Sequence, residues 1–142
     1  MSISEVLNYL NKQSGMLGLS GVSSDFRDLT EGNAFDNPRN KLAVDCFAYR
    51  VKQYVGSYTA VMNGLDCIVF TAGVGENTPY VRSQVAGNLS YLGVELDEEK
   101  NRNCPRGQIA DISKESSRVR VLVIPTNEEL VIARETKRVA QL

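Results

Sequence analysis

The chain has 142 residues, enough for one domain with a hydrophobic core of its own. Apolar residues make up 42% of it, and 16 basic against 17 acidic side chains leave a net charge of −1, which excludes nucleic-acid binding through phosphates as a main task. No apolar run approaches the ~20 residues that span a bilayer, and the absence of histidine excludes a Ser-His-Asp or Cys-His centre, or a His-ligated metal, built from this chain alone.

The N-terminal MSISEVLNYL has no basic segment and no long apolar stretch, so no signal peptide is expected there. Ser2 and Glu5 are spaced as a capping box, and Ile3, Val6, Leu7 and Leu10 follow with helical spacing. Gly15 and Gly18 are expected to stop that helix. GLSGVSSDFRDLTEGN (18–33) reads as a loop enclosing a short helix. From Asn40 a long helix is predicted, with Leu42, Phe47, Val51, Tyr54, Val55, Tyr58, Val61 and Met62 as one apolar stripe, ended by Asn63-Gly64.

DCIVFTA (66–72) is short, apolar and β-branched, and is predicted to be a buried strand. Glycines at 73 and 75 follow it, and Pro79 opens a helix to about Gly87. LDEEKNR (96–102) fits a short polar helix, and CPRG breaks the chain. QIADIS (108–113) fits a weak edge strand. RVRVLVIP (118–125) is a strong strand ended by Pro125. TNEELVIARETKRVA (126–140) reads as a helix with Thr126 and Glu129 as a second capping box. The order implies α/β architecture: two main parallel strands joined by a crossover, plus a weak edge strand, flanked by helices. Cys46, Cys67 and Cys104 are odd in number and far apart, so neither a disulfide framework nor a zinc site is expected; buried free thiols in a reducing cytoplasm are.

Glycines at the carboxyl end of a strand, beside a helix N-terminus, leave backbone N–H groups open to an anion or nucleotide. IVFTAGVGENTPYVRSQV has that arrangement, but Thr78 replaces the third glycine of the dinucleotide fingerprint and no Gly-Lys-Ser/Thr follows. A plain strand-to-helix turn is the competing reading. Asp25 also reads as a helix-start carboxylate, Phe26 as core, Glu76 and Asn77 as caps, and Glu128 as a solvated acid in a first turn, where the helix dipole favours it.

Three segments resemble acetate kinases. FTAGVGENTPYVR is similar to that family's F-T-A-G-I-G-E-N signature, GVSSDFRDL (21–29) to its adenosine-contacting D-F-R segment, and VLVIPTNEELVIARET (121–136) to its C-terminal block. The resemblance implies that Asp25, Phe26 and Arg27 line an adenosine, that Gly73, Val74, Gly75, Glu76 and Asn77 form the nucleotide loop, and that Glu128 is a magnesium-associated carboxylate. Val74 stands where the family more often has isoleucine. The implied cofactors are ATP/ADP and Mg²⁺.

The implied fold is part of a ribonuclease-H-like lobe of the sugar kinase/actin superfamily, residues 1–142 forming the later part of the C-terminal, nucleotide-binding lobe. The first lobe and the first three strands of this one are expected to be absent, and no catalytic residue is expected within the chain. In the whole enzyme the resemblance implies acetate as acceptor, a homodimer and a cytoplasmic location, with no nucleic-acid or membrane partner. The isolated chain is expected to be inactive. A propionate or butyrate kinase relative, or a non-catalytic remnant that binds nucleotide or dimerises, are the alternatives.

Overall fold

The computed structural model describes residues 1–141, so the last residue of the 1–142 domain expectation lies outside the described residues. The first helix, α1 (Ile3–Lys12), begins on the predicted capping box: the Ser2 hydroxyl accepts from the Glu5 amide at 3.3 Å, and the Glu5 carboxylate accepts from the Ser2 amide at 2.6 Å. Its apolar stripe buries nothing.

The first helix ends at Lys12, ahead of Gly15 and Gly18 as expected, but helical structure resumes. A second helix, α2 (Gly15–Ser20), forms there and stops at Gly21, which takes the left-handed conformation. The low helix propensity of its glycines is overridden by packing on the long helix α4 (Pro38–Met62), whose Arg39 guanidinium donates to the Leu19 carbonyl at 3.0 and 3.2 Å. Between them lies α3 (Phe26–Thr30).

Helix α4 starts two residues before the predicted Asn40. The Asn37 side chain caps it by accepting from the Arg39 amide at 2.9 Å, and Pro38 occupies the first turn, where its missing N–H costs nothing. The predicted single stripe also divides. Ala43, Val44 and Ala48 are buried, and Phe47, Val51 and Val55 pack beside them, whereas Leu42, Tyr54, Tyr58, Val61 and Met62 are exposed. Leu42 lies two residues from Val44, and so on nearly the opposite side of the helix.

Strand β1 (Cys67–Phe70) pairs parallel with β3 (Arg120–Val123), and β2 (Ala110–Asp111) pairs antiparallel with β3. The order β1-β3-β2 matches the predicted parallel pair with an edge strand. Helices α5 (Ala72–Asn77), α6 (Pro79–Ala86) and α7 (Glu98–Arg102) fill the crossover. Ile68, Phe70, Val121 and Val123 alternate toward one face, where Leu29, Val44, Ala48, Val81 and Val85 complete the core. Each of these side chains except that of Ala48 contributes about 1.5–3 kcal/mol on burial.

β1 is buried on that face alone. Cys67 and Val69 are exposed on the other, so the expectation of a fully buried strand is corrected. The thiol expectation is corrected with it: Cys46 and Cys67 are exposed and Cys104 is half-buried.

The final helix, α8 (Glu128–Ala140), is capped by Asn127, whose side chain accepts from the Leu130 amide at 2.9 Å. The predicted Thr126–Glu129 box does not form, because Thr126 is engaged elsewhere (below). Among the described residues no helix is long and apolar enough to cross a membrane.

Candidate functional site

A cavity of about 780 Å³ opens between α3 and α5, within the size range of small-molecule sites. Asp25, Phe26 and Arg27 form one wall, and Gly73, Val74 and Asn77 the other. These two segments are remote in sequence.

Each wall is held by local chemistry. Asp25 caps α3 by accepting from the Arg27 amide at 2.9 Å, and the same carboxylate takes the Arg27 guanidinium at 2.6 Å. The hydrogen bonds from Arg27 hold the Asp25 carboxyl down at about 2, below the usual carboxylate range. The capping reading of Asp25 is therefore correct as structure, and it leaves the paired guanidinium at the cavity wall. Phe26 packs edge-on against Phe47 of α4 with ring centroids 4.7 Å apart. It thus joins the core and lines the cavity at once.

The glycine segment is not an open loop but the short helix α5, and it enters through strain. Ala72, at the junction with β1, has φ = 59°, a left-handed conformation that costs a residue with a Cβ about 1–2 kcal/mol. The Asn77 side chain donates to the Gly73 carbonyl at 2.9 Å and closes the turn. The two glycines differ in purpose. A Cβ on Gly73 would meet nothing within 4 Å, whereas one on Gly75 would lie 3.2 Å from the carbonyl carbon of Phe70. Gly75 thus lets α5 sit against the end of β1, and it lies outside the cavity lining.

Glu76 points the other way. Its carboxylate accepts from the Thr126 amide at 2.9 Å and the Thr126 hydroxyl at 3.1 Å, tying α5 to the foot of α8. Glu128 follows two residues later, exposed, and forms no hydrogen bond or ion pair among the described residues. It does not line the cavity. Among the described residues no three Cys, Asp or Glu side chains gather as a metal cluster. Glu128 therefore fits Mg²⁺ only as one oxygen ligand, the remainder coming from water and phosphate, an arrangement this ion accepts.

Several residues at or beside the site carried no signal in the sequence reading. Arg82 of α6 is 1% exposed. Its guanidinium donates to the Gly75 and Glu76 carbonyls, each at 2.8 Å, and to the side chain and carbonyl of Asn101 in α7, at 2.7 and 2.9 Å. It thereby holds the end of α5 from beneath. The clue available was an arginine set between Val81 and Val85 on one helix. Phe35 and Tyr80 also line the cavity, edge-on at 4.8 Å. The Tyr80 hydroxyl donates to Asp45 at 2.6 Å and accepts from Lys41 at 2.9 Å. Burial raises Asp45, but the hydrogen bonds it accepts from Lys41, at 2.6 Å, and from Tyr80, with the Lys41 charge, outweigh it and the net shift is downward. Arg106, from the segment read only as a chain break, lines the cavity as well.

Residues 1–134 match the model of the acetokinase family. The chain belongs to the acetokinase family. It is 59% identical over 138 residues to the acetate kinase of Heliobacterium modesticaldum, covering 97% of this chain and 34% of that protein. The crystal structure of Porphyromonas gingivalis acetate kinase superimposes with a TM-score of 0.87 at 41% identity, over 99% of this chain and 35% of that one. A propionate kinase from Francisella tularensis superimposes with a TM-score of 0.81 at 40% identity, over 95% of this chain and 34% of the other. The chain thus spans about a third of the length of the acetokinases it matches. Its three-stranded sheet with flanking helices is part of the actin-like lobe of these kinases.

Proposed function

We propose that this chain is the C-terminal, nucleotide-binding portion of an acetate kinase, and that the cavity between α3 and α5 holds the adenosine of ATP or ADP. The parent reaction is Mg²⁺-dependent transfer of the γ-phosphoryl group of ATP to acetate, giving acetyl phosphate and ADP. The observation that carries the reading is the meeting of Asp25-Phe26-Arg27 with Gly73, Val74 and Asn77 around one cavity. Phe26 and Val74 supply apolar contact for a base, the Arg27 plane can stack on it, and Asp25 can accept from ribose hydroxyls. Gly75 and Glu76 act behind this wall, seating α5 on β1 and on the start of α8. Mg²⁺, when bound with the nucleotide, neutralises phosphate charge, and Glu128 is the residue that would contribute an oxygen to it.

Phosphoryl transfer needs several positioned groups at once. The cavity walls supply nucleotide contacts but no acceptor pocket, so the chain alone is inactive; acetyl phosphate formation by the purified chain would contradict this. In the whole protein we place the chain in a cytoplasmic homodimer. The Francisella propionate kinase supports a second reading, in which the acceptor is propionate rather than acetate. Titration calorimetry with ATP–Mg²⁺ tests the cradle. Wild type should bind, while Arg27→Ala and Gly75→Val should each lose most of the affinity. Equal binding by all three proteins would contradict it.

A further inference from the structure

Helix α8 is placed by very little. None of its residues is buried, and its ion pair, Arg138 with Glu135, is internal. Its first turn is closed by its own cap, the Asn127 side chain on the Leu130 amide. The ladder of β3 ends where the Ile124 amide donates to the Phe70 carbonyl at 2.9 Å. Beyond that point, among the described residues, hydrogen bonds reach back to the rest of the fold at one place. The Thr126 amide and hydroxyl both donate there to one Glu76 oxygen. Bonds to a carboxylate are among the stronger ones, and two donors on one oxygen fix direction as well as distance.

Glu76 is itself held. The Arg82 guanidinium donates to its carbonyl and to that of Gly75, each at 2.8 Å. Asn77, next in the chain, donates to the Gly73 carbonyl at 2.9 Å and lines the cavity. One braced turn therefore carries the cavity wall on one side and the anchor of α8 on the other. Glu128 is the first residue of α8, two beyond Thr126. Without the anchor, α8 can swing about the link after β3, which moves Glu128 and leaves the cavity intact.

We propose that Glu76 is a positioning residue for the metal contact: through Thr126 it fixes Glu128 relative to the adenosine cavity, so that a carboxylate is already in place for Mg²⁺ carried by the nucleotide phosphates. This role of Glu76 rests on the reading of the cavity as an adenosine site and of Glu128 as a magnesium-associated carboxylate. It divides the labour within α5. Gly73, Val74 and Asn77 set how tightly the nucleoside binds, and Glu76 sets what magnesium adds. A group that orients a metal ligand from behind typically accounts for about 10–100-fold in metal affinity. Glu76 acts at one remove, through Thr126, and takes the lower end of that range.

Titration calorimetry of this chain with adenosine, with ATP in EDTA and with ATP–Mg²⁺ is the test, the ratio of the last two affinities being the magnesium gain. Glu76→Ala should bind adenosine within about twofold of wild type but lose about tenfold of the magnesium gain. Glu128→Gln should lose as much, and the double variant no more than either alone. Glu76→Gln keeps an acceptor oxygen for Thr126 and should restore most of the gain. With ADP–Mn²⁺, paramagnetic broadening of the Glu128 amide signal should weaken in Glu76→Ala and return in Glu76→Gln. Should circular dichroism show Glu76→Ala unfolded, Thr126→Val decides, since it removes one of the two bonds: a gain about threefold smaller supports the role, and an unchanged gain overturns it. An unchanged magnesium gain in folded Glu76→Ala, an equal loss of adenosine affinity, or losses that add in the double variant overturn the role of Glu76 and leave the cavity reading standing. A wild type that binds ATP equally with and without Mg²⁺ overturns the Glu128 assignment as well. No adenosine binding by wild type overturns the cavity reading and the role of Glu76 together.

Discussion

Arg82 gives the most demanding test of the fold beneath the site. It is a buried cation with no carboxylate partner among its hydrogen bonds, and its four bonds all end on neutral oxygens of α5 and α7. Burial lowers its proton affinity, yet guanidinium stays charged in any folded protein. Hydrogen bonds to a charged group contribute about 1.5–3 kcal/mol each, but desolvation of the ion offsets much of the total. Arg82→Ala removes the donor to four acceptors, two of them on buried Asn101 and two half-buried, and opens a void, so a net loss of about 3–5 kcal/mol is expected. Arg82→Met fills the space without donors and should lose somewhat less. The coupling to Asn101 is read from a double-mutant cycle with Asn101→Ala, for which about 1–3 kcal/mol is expected. Urea unfolding followed by circular dichroism supplies all of these values. A loss below about 0.5 kcal/mol for Arg82→Ala would refute the claim that this side chain holds α5 in place.

The two glycines of α5 should respond oppositely. Gly73→Ala gains helix propensity against open space and should stabilise by about 0.5–1 kcal/mol while weakening nucleotide binding, whereas Gly75→Ala pushes a methyl against Phe70 and should lose about 1 kcal/mol; thermal unfolding separates them. The Asp25–Arg27 pair should survive mild acid. Because the folded carboxyl sits at about 2, below an unfolded value of about 3.9, its stabilisation is complete above the unfolded value and disappears as pH falls through the folded one. Carboxyl-carbon NMR of Asp25 should show that low midpoint, and a midpoint near 4 would mean the pair does not persist in solution.

The parallel pair was legible because β-branched runs at 67–70 and 120–123 are separated by helical segments long enough for one crossover. Helix α4 was legible from its period, but its start was not, since the Asn37 cap and Pro38 carry that information and the apolar pattern does not. Helices α2 and α5 were hidden by their glycines. What makes them helical is tertiary: Arg39 grips the end of α2, and Arg82 grips the end of α5. The burial expected of Cys67 fails because a strand apolar on both faces predicts burial on both, and only one face of this sheet is covered, while Cys46 lies on the exposed side of α4. At the site, the glycine turn after a strand pointed to Gly73 by chemistry alone, whereas Asp25, Phe26, Arg27, Val74 and Asn77 stood out only through the family resemblance; all six line one cavity. The same resemblance singled out Gly75, Glu76 and Glu128, yet they lie outside its lining: Gly75 faces Phe70, Glu76 turns to Thr126, and Glu128 sits on α8. Arg82 and Arg106 could not be found by type, since their importance comes from what folds against them.

The central claim is that one cavity between α3 and α5 receives adenosine. Amide NMR spectra recorded during titration with adenosine, and then with ATP–Mg²⁺, test it most directly. The account predicts that Phe26, Arg27, Gly73, Val74 and Asn77 shift with adenosine, and that Glu128 responds only when ATP–Mg²⁺ is added. Shifts confined to other parts of the chain, or none from Phe26 and Gly73 at saturating nucleotide, would contradict it.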